Sequence, residues 1–131
     1  MRILTILCQK GGVGKTTFVV NLGKLLSIKG YKTLMIDTDP QGNVSTYLNF
    51  DKNSKKALNT TDLFENKLNK EITKVSENLY LIPSNKSIAK HSSEKIIGGS
   101  RLIQHKNFFK DMGFELILID TPPTISSLTQ E

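Results

Sequence analysis

The residues Gln9-Lys10-Gly11-Gly12-Val13-Gly14-Lys15-Thr16-Thr17 place three glycines, two lysines and two hydroxyls between an apolar run and a helical pattern. Glycines admit positive φ angles, so successive N–H groups can turn inward and cradle phosphate oxygens. A helix beginning near Lys15 adds its N-terminal partial charge and unsatisfied donors to the same cradle. Lys15 would reach the β- and γ-phosphates as a point charge, and the Thr16 hydroxyl would ligate Mg²⁺. Three carboxylates complete the set: Asp37 and Asp39, two residues apart, and Asp120 at the end of Leu116-Ile117-Leu118-Ile119. Two acids beside a triphosphate repel it unless a cation lies between them. A useful role for them is to hold the metal's water shell or to orient an attacking water. Gln9 stands where the general phosphate-loop pattern has glycine, so the match departs from the standard form.

These residues need elements that bring them together. Arg2 to Cys8 is a nearly continuous apolar run, which predicts a strand covered on both faces. A helix is expected from about Lys15 to Lys29, with Phe18, Val19, Leu22, Leu25 and Leu26 on one face and Gly30 at its C-terminal cap. Further strands are expected at Lys32 to Asp37, Leu79 to Pro83 and Phe114 to Ile119. Residues 51–60 are polar and lysine-rich and read as a mobile loop. A short helix is expected at Asp62 to Asn66, and another from Ser100 through Asp111, stopping at Gly113. Alternation of strand and helix argues for an α/β fold with a mostly parallel sheet flanked by helices. In such sheets, ligands sit at the C-terminal ends of the strands, where the glycine loop and the carboxylates fall.

Composition narrows the class. The chain has 131 residues, 37% hydrophobic and 23% charged, enough for a single domain with a core of its own. No run reaches the ~18 apolar residues of a membrane span. The single cysteine, Cys8, excludes an intramolecular disulfide and suits a reducing cytosol. The net charge of +6 comes almost entirely from lysine and fits a solvated surface better than a nucleic-acid footprint. His91 and His105 have no ligand partner at metal-binding spacing, so a surface or core role is expected for each.

Lys10-Gly11-Gly12-Val13-Gly14-Lys15-Thr16-Thr17 resembles the deviant Walker A motif of the ParA/MinD ATPases, and Asp37-Thr38-Asp39-Pro40-Gln41-Gly42-Asn43 resembles the ParA pattern D-x-D-P-Q-G-N. Leu116 to Asp120 has the Walker B form, and Asp120-Thr121-Pro122-Pro123 is similar to the family's γ-phosphate switch. The resemblance implies a P-loop NTPase fold with ATP and Mg²⁺ as ligands and hydrolysis of ATP to ADP and phosphate. It implies catalytic roles for Lys10, Lys15 and Asp39, with Lys10 reaching a partner's nucleotide in an ATP-dependent homodimer. Nucleotide contacts would come from Lys10, Gly11, Gly12, Val13, Gly14, Lys15, Thr16 and Thr17, and metal contacts from Thr16, Asp37 and Asp120. It further implies plasmid or chromosome partitioning, a ParB-type stimulating protein, non-specific DNA binding and a cytoplasmic, nucleoid-associated location without a membrane.

Family members continue beyond the D-T-P-P segment. Residues 1–131 are therefore expected to be a single nucleotide-binding domain truncated on its C-terminal side, the N-terminal half of a larger doubly wound domain. Its first strand would lie at an open edge. Two alternatives stand beside this reading, the second of them from another class. A MinD-like membrane-cycling ATPase needs a C-terminal amphipathic helix, and an inactive truncated interaction module would retain the motifs without binding nucleotide. An iron–sulfur relative needs cluster cysteines that one Cys cannot supply.

Overall fold

The central strands are apolar along almost their whole length, and successive side chains point to opposite faces of one sheet. Leu34, Ile36, Ile82, Ile117 and Ile119 join Phe109 and Phe114 on one face, while Met35, Leu79, Leu81 and Leu118 join Val19, Val20 and Val44 on the other. The computed structural model describes residues 1–6, 13–91 and 104–121. Its elements in chain order are β1 (Arg2–Ile6), α1 (Val13–Ile28), β2 (Thr33–Asp37), α2 (Asn43–Leu48), α3 (Thr60–Phe64), β3 (Thr73–Ser76), β4 (Leu79–Ile82), a 3₁₀ turn (Lys86–Lys90), α4 (Lys106–Asp111) and β5 (Leu116–Asp120). The five strands form one sheet in the order β1-β5-β2-β4-β3. All pairings are parallel except β3 with β4. This is the mostly parallel α/β sheet expected from the sequence.

Strand β1 departs from expectation in its surroundings. Among the described residues it pairs with β5 alone, and Leu4 is 42% exposed. An apolar run therefore does not distinguish a strand covered on both faces from one at the rim of a sheet. The open edge itself matches the half-sheet expected from the resemblance. Leu7 and Cys8, the end of the expected strand, lie outside the described residues.

Helix α1 carries a second correction. Its buried side is Thr16, Val19, Val20, Gly23 and Ser27, whereas Phe18 and Leu25 are exposed and Ile28 is 82% exposed. Apolar residues stand on several sides of the helix and polar ones are mixed among them, so periodicity alone selects no single face. Close approach decides the matter. A Cβ at Gly23 would stand 3.0 Å from Met35 Sδ and 3.1 Å from Leu79 Cδ1, so the bare glycine lets the helix lie against the sheet. Gly30 follows with φ 98°, the left-handed position expected after the last turn.

The remaining elements differ in detail. The short helix is Thr60–Phe64, begun by a capping box between Asn59 and Asp62. The expected mobile loop is anchored: Leu58 is fully buried and its N–H donates to Glu71 O. Helix α4 spans six residues before Gly113, and Ser100 lies outside the described residues. The edge strand β3 and helix α2 were not anticipated.

Candidate functional site

Parallel pairing sets Asp37 directly opposite Asp120 at the ends of β2 and β5. Both are almost fully buried, as are Lys15, Thr16 and Asp39. Lys15 stands in the first turn of α1 and sends its ammonium 2.9 Å from Asp120 Oδ1. Among the described residues, neither atom has any other partner. Five sequence-selected residues therefore converge at one end of the sheet: Lys15, Thr16, Asp37, Asp39 and Asp120. Gly14 is exposed and Thr17 half-buried in the same turn. Lys10, Gly11 and Gly12, like Pro122 and Pro123, lie outside the described residues, as does the Val13 side chain.

The loop from Asp37 to Val44 is folded around its own carboxylates. Asp39 N donates to Asp37 Oδ1 at 3.0 Å and Val44 N to Asp37 Oδ2 at 3.3 Å. Asp39 Oδ1 accepts from Gln41 N at 3.0 Å, which fixes the direction of its other oxygen. The turn closes with Gly42 N donating to Asp39 O, and Gly42 has φ 62°. Lys52 ties the outside of the loop by donating from Nζ to Gln41 O at 2.8 Å. A cavity of about 460 Å³, lined by Pro40, Gln41, Lys52, Asn53, Asn85, Lys86 and Ser87, flanks this loop but does not include the buried acids.

Burial and mutual repulsion govern the protons. Asp37 is pushed up to about 8, first by burial and then by the Asp120 charge, against the opposing pull of the Asp39 and Val44 amides. Asp120 is also raised by burial, although Lys15 counteracts this. A cation near these two acids would relieve both costs. Mg²⁺ uses one or two carboxylates, a hydroxyl and phosphate oxygens rather than an all-protein cage. Thr16, Asp37 and Asp120 fit that donor set, while among the described residues no group of three or more His, Cys, Asp or Glu is placed to hold a metal ion by itself.

The sign of the pH dependence follows. Between about pH 4 and 8 the folded chain keeps a proton on Asp37 that the unfolded chain releases, so its contribution is complete below pH 4 and lost as the pH rises toward 8. The urea midpoint of the ligand-free chain is expected to be higher at pH 5 than at pH 8, with the difference reduced in Asp37→Asn. An undiminished difference in that variant would remove Asp37 as the source. Glu65, held at about 2 chiefly by its hydrogen bond from Lys90, acts only below this window.

Three hydroxyls to which the sequence assigns no individual role also stand at this edge. Thr121 Oγ1 donates to Ile6 O at 2.6 Å, joining the ends of β5 and β1. Thr38 donates to Asp120 O through both Oγ1, at 2.8 Å, and N, at 2.9 Å, joining β2 to β5. Thr60 Oγ1 donates to Asp37 O and lies 3.3 Å from Pro83 O, joining β2 to β4. Thr38 and Thr121 each follow a strand-ending aspartate, a signal the sequence does contain. Thr60 offers none.

The histidines serve the structure. His105 is buried and its Nε2 lies 2.9 Å from Leu63 O, whereas His91 packs on Phe64 and lies 3.3 Å from Glu65 Oε2. No described helix is long and apolar enough to cross a membrane.

The family model described as "AAA domain" matches residues 1–131. The chain is 35% identical over 133 residues to the chromosome-partitioning ATPase Soj of Treponema pallidum, a match covering 98% of this chain and 51% of that protein. Among solved structures, a plasmid partition protein from Borrelia burgdorferi superposes with a TM-score of 0.73 at 33% identity, over 93% of this chain and 56% of that one. Cobyrinic acid a,c-diamide synthase from Mycobacterium smegmatis, solved with a bound ATP analog and magnesium, gives 0.73 at 28% identity, over 93% and 51%. The chain thus spans about half the length of the relatives it matches.

Proposed function

The chain belongs to the AAA-domain family over residues 1–131 and aligns over nearly all of that length with ParA and Soj proteins; from that premise we propose that it carries the phosphate and metal site of a ParA-type partition ATPase. One observation carries the reading. A lysine at the head of α1 is buried against the Asp120 carboxylate, and Asp120 faces Asp37 across the strand ends. A buried cation with two buried acids is costly unless a ligand exploits them. Mg·ATP matches that charge pattern.

Each residue then has a task. Lys15 exchanges Asp120 for the β- and γ-phosphate oxygens, and the residues Lys10 to Thr17 supply the surrounding cradle. Thr16, Asp37 and Asp120 would hold Mg²⁺, which neutralises phosphate charge when bound. Asp39, steered by the Gln41 amide, orients the attacking water and accepts its proton. Hydrolysis, ATP-dependent dimerisation, non-specific DNA binding and stimulation by a ParB-type protein are proposed on the likeness to partition proteins. The test is equilibrium binding of Mg·ATP to the 131-residue chain, and absence of binding would overturn the assignment for these residues.

Lys10 has a separate expected outcome. In a protein of the relatives' length, Lys10→Ala should bind Mg·ATP within about twofold of the parent and fail to dimerise on ATP by light scattering. A variant that still dimerises would remove the role in trans.

A further inference from the structure

Thr60 lies outside every motif and is fully buried. The ladder between β2 and β4 ends at Ile36 opposite Ile82, one residue short of Asp37. Beyond that point the two chains need another link. Thr60 supplies it: Oγ1 donates to Asp37 O and lies near Pro83 O, while its own N–H donates to Pro83 O at 2.9 Å. The residue is itself held in place. It begins α3 directly after Asn59, whose side chain accepts from Asp62 N, and Thr61 Oγ1 lies 2.6 Å from Ser87 Oγ.

From this bridge we infer that Thr60 is a positioning residue for the carboxylate loop, an inference that rests on the site's reading as a nucleotide and metal site. A held Asp37 carbonyl fixes the peptide plane between Asp37 and Thr38. That plane sets the course of the chain that brings the Asp39 and Val44 amides back to the Asp37 carboxylate, and it points the Thr38 N–H at Asp120 O. The hydroxyl thus acts on the Asp37 carboxylate and on the backbone that carries Asp120 without touching a ligand. Removing it leaves the Asp37 carbonyl buried without its side-chain donor, and the cost falls locally on the loop.

The test compares Thr60→Val, which keeps the side-chain shape, with Thr60→Ser, which keeps the hydroxyl. Amide hydrogen exchange is read by NMR on the nucleotide-free chain. In Thr60→Val the Asp39 and Val44 amides should accelerate about tenfold more than those of Leu34 and Leu118, and Thr60→Ser should restore them. Equal acceleration at all four would mark a merely structural hydroxyl and overturn the inference, as would no local change. Mg·ATP titration separates the two readings. If the parent takes up no nucleotide, the ATPase assignment falls while the exchange result still decides the role of Thr60. If it binds, Thr60→Val should lose about tenfold of the affinity that Mg²⁺ adds and keep its Mg²⁺-free affinity.

Discussion

Lys15→Ala should lower affinity for Mg·ATP at least 100-fold and also destabilise the ligand-free chain by about 3 kcal/mol. The first effect follows from losing the lysine that, alone among the described residues' lysines and arginines, is buried at the proposed phosphate site. The second follows from the 2.9 Å pair with Asp120. Removing one partner leaves a buried carboxylate uncompensated, which costs far more than losing a surface pair. The two effects separate in Lys15→Ala/Asp120→Asn, where the orphaned charge is gone. That double variant should regain most of the stability, read as the urea midpoint, and none of the nucleotide affinity. Unchanged affinity in Lys15→Ala would remove the phosphate role from this lysine.

Gly42→Ala should cost about 3 kcal/mol, combining a left-handed backbone with a steric collision. The residue has φ 62°, and an added Cβ would stand 2.5 Å from the Ser84 carbonyl oxygen and 2.7 Å from Lys52 Cδ. The lysine chain can swing away, whereas the Ser84 carbonyl belongs to the backbone just after β4. The Asp37 to Val44 loop would have to move, and with it the amides that hold Asp37 and Asp39. Gly30→Ala provides the control. Its φ of 98° is comparably unfavourable, but nothing lies within 4 Å of the added carbon. Its loss should be about 1 kcal/mol, so the difference in urea midpoint reports the collision. Equal losses would mean that conformation alone requires glycine at position 42.

Much of the site was legible because its residues sit at strand ends. Asp37 and Asp120 close apolar runs, and parallel pairing makes them neighbours although 83 positions separate them. The position of Lys15 after the glycine loop likewise fixed its place in the first turn of α1. What remained hidden depends on contacts between distant segments. The buried side of α1 is set by Gly23 against Met35 and Leu79, so large apolar residues such as Phe18 and Leu25 gave the wrong face. Strand β3 has only four residues, two of them exposed, and its antiparallel pairing at the rim leaves little apolar signal. Thr60 was invisible because a hydroxyl in a polar stretch acquires meaning only when Asp37 and Pro83 are brought to it.

The register between β1 and β5 has a consequence for how the chain is made. Arg2 pairs with Leu116 and Ile6 with Asp120, so each pair joins positions 114 residues apart. At roughly 5–20 residues per second of synthesis, the first strand waits on the order of 10 s for its partner to be translated. During that interval Ile3, Leu4 and Ile6 leave the ribosome with no ladder to join. Within the described sheet β1 is thus the first strand to be translated, and its partner β5 is the last to emerge.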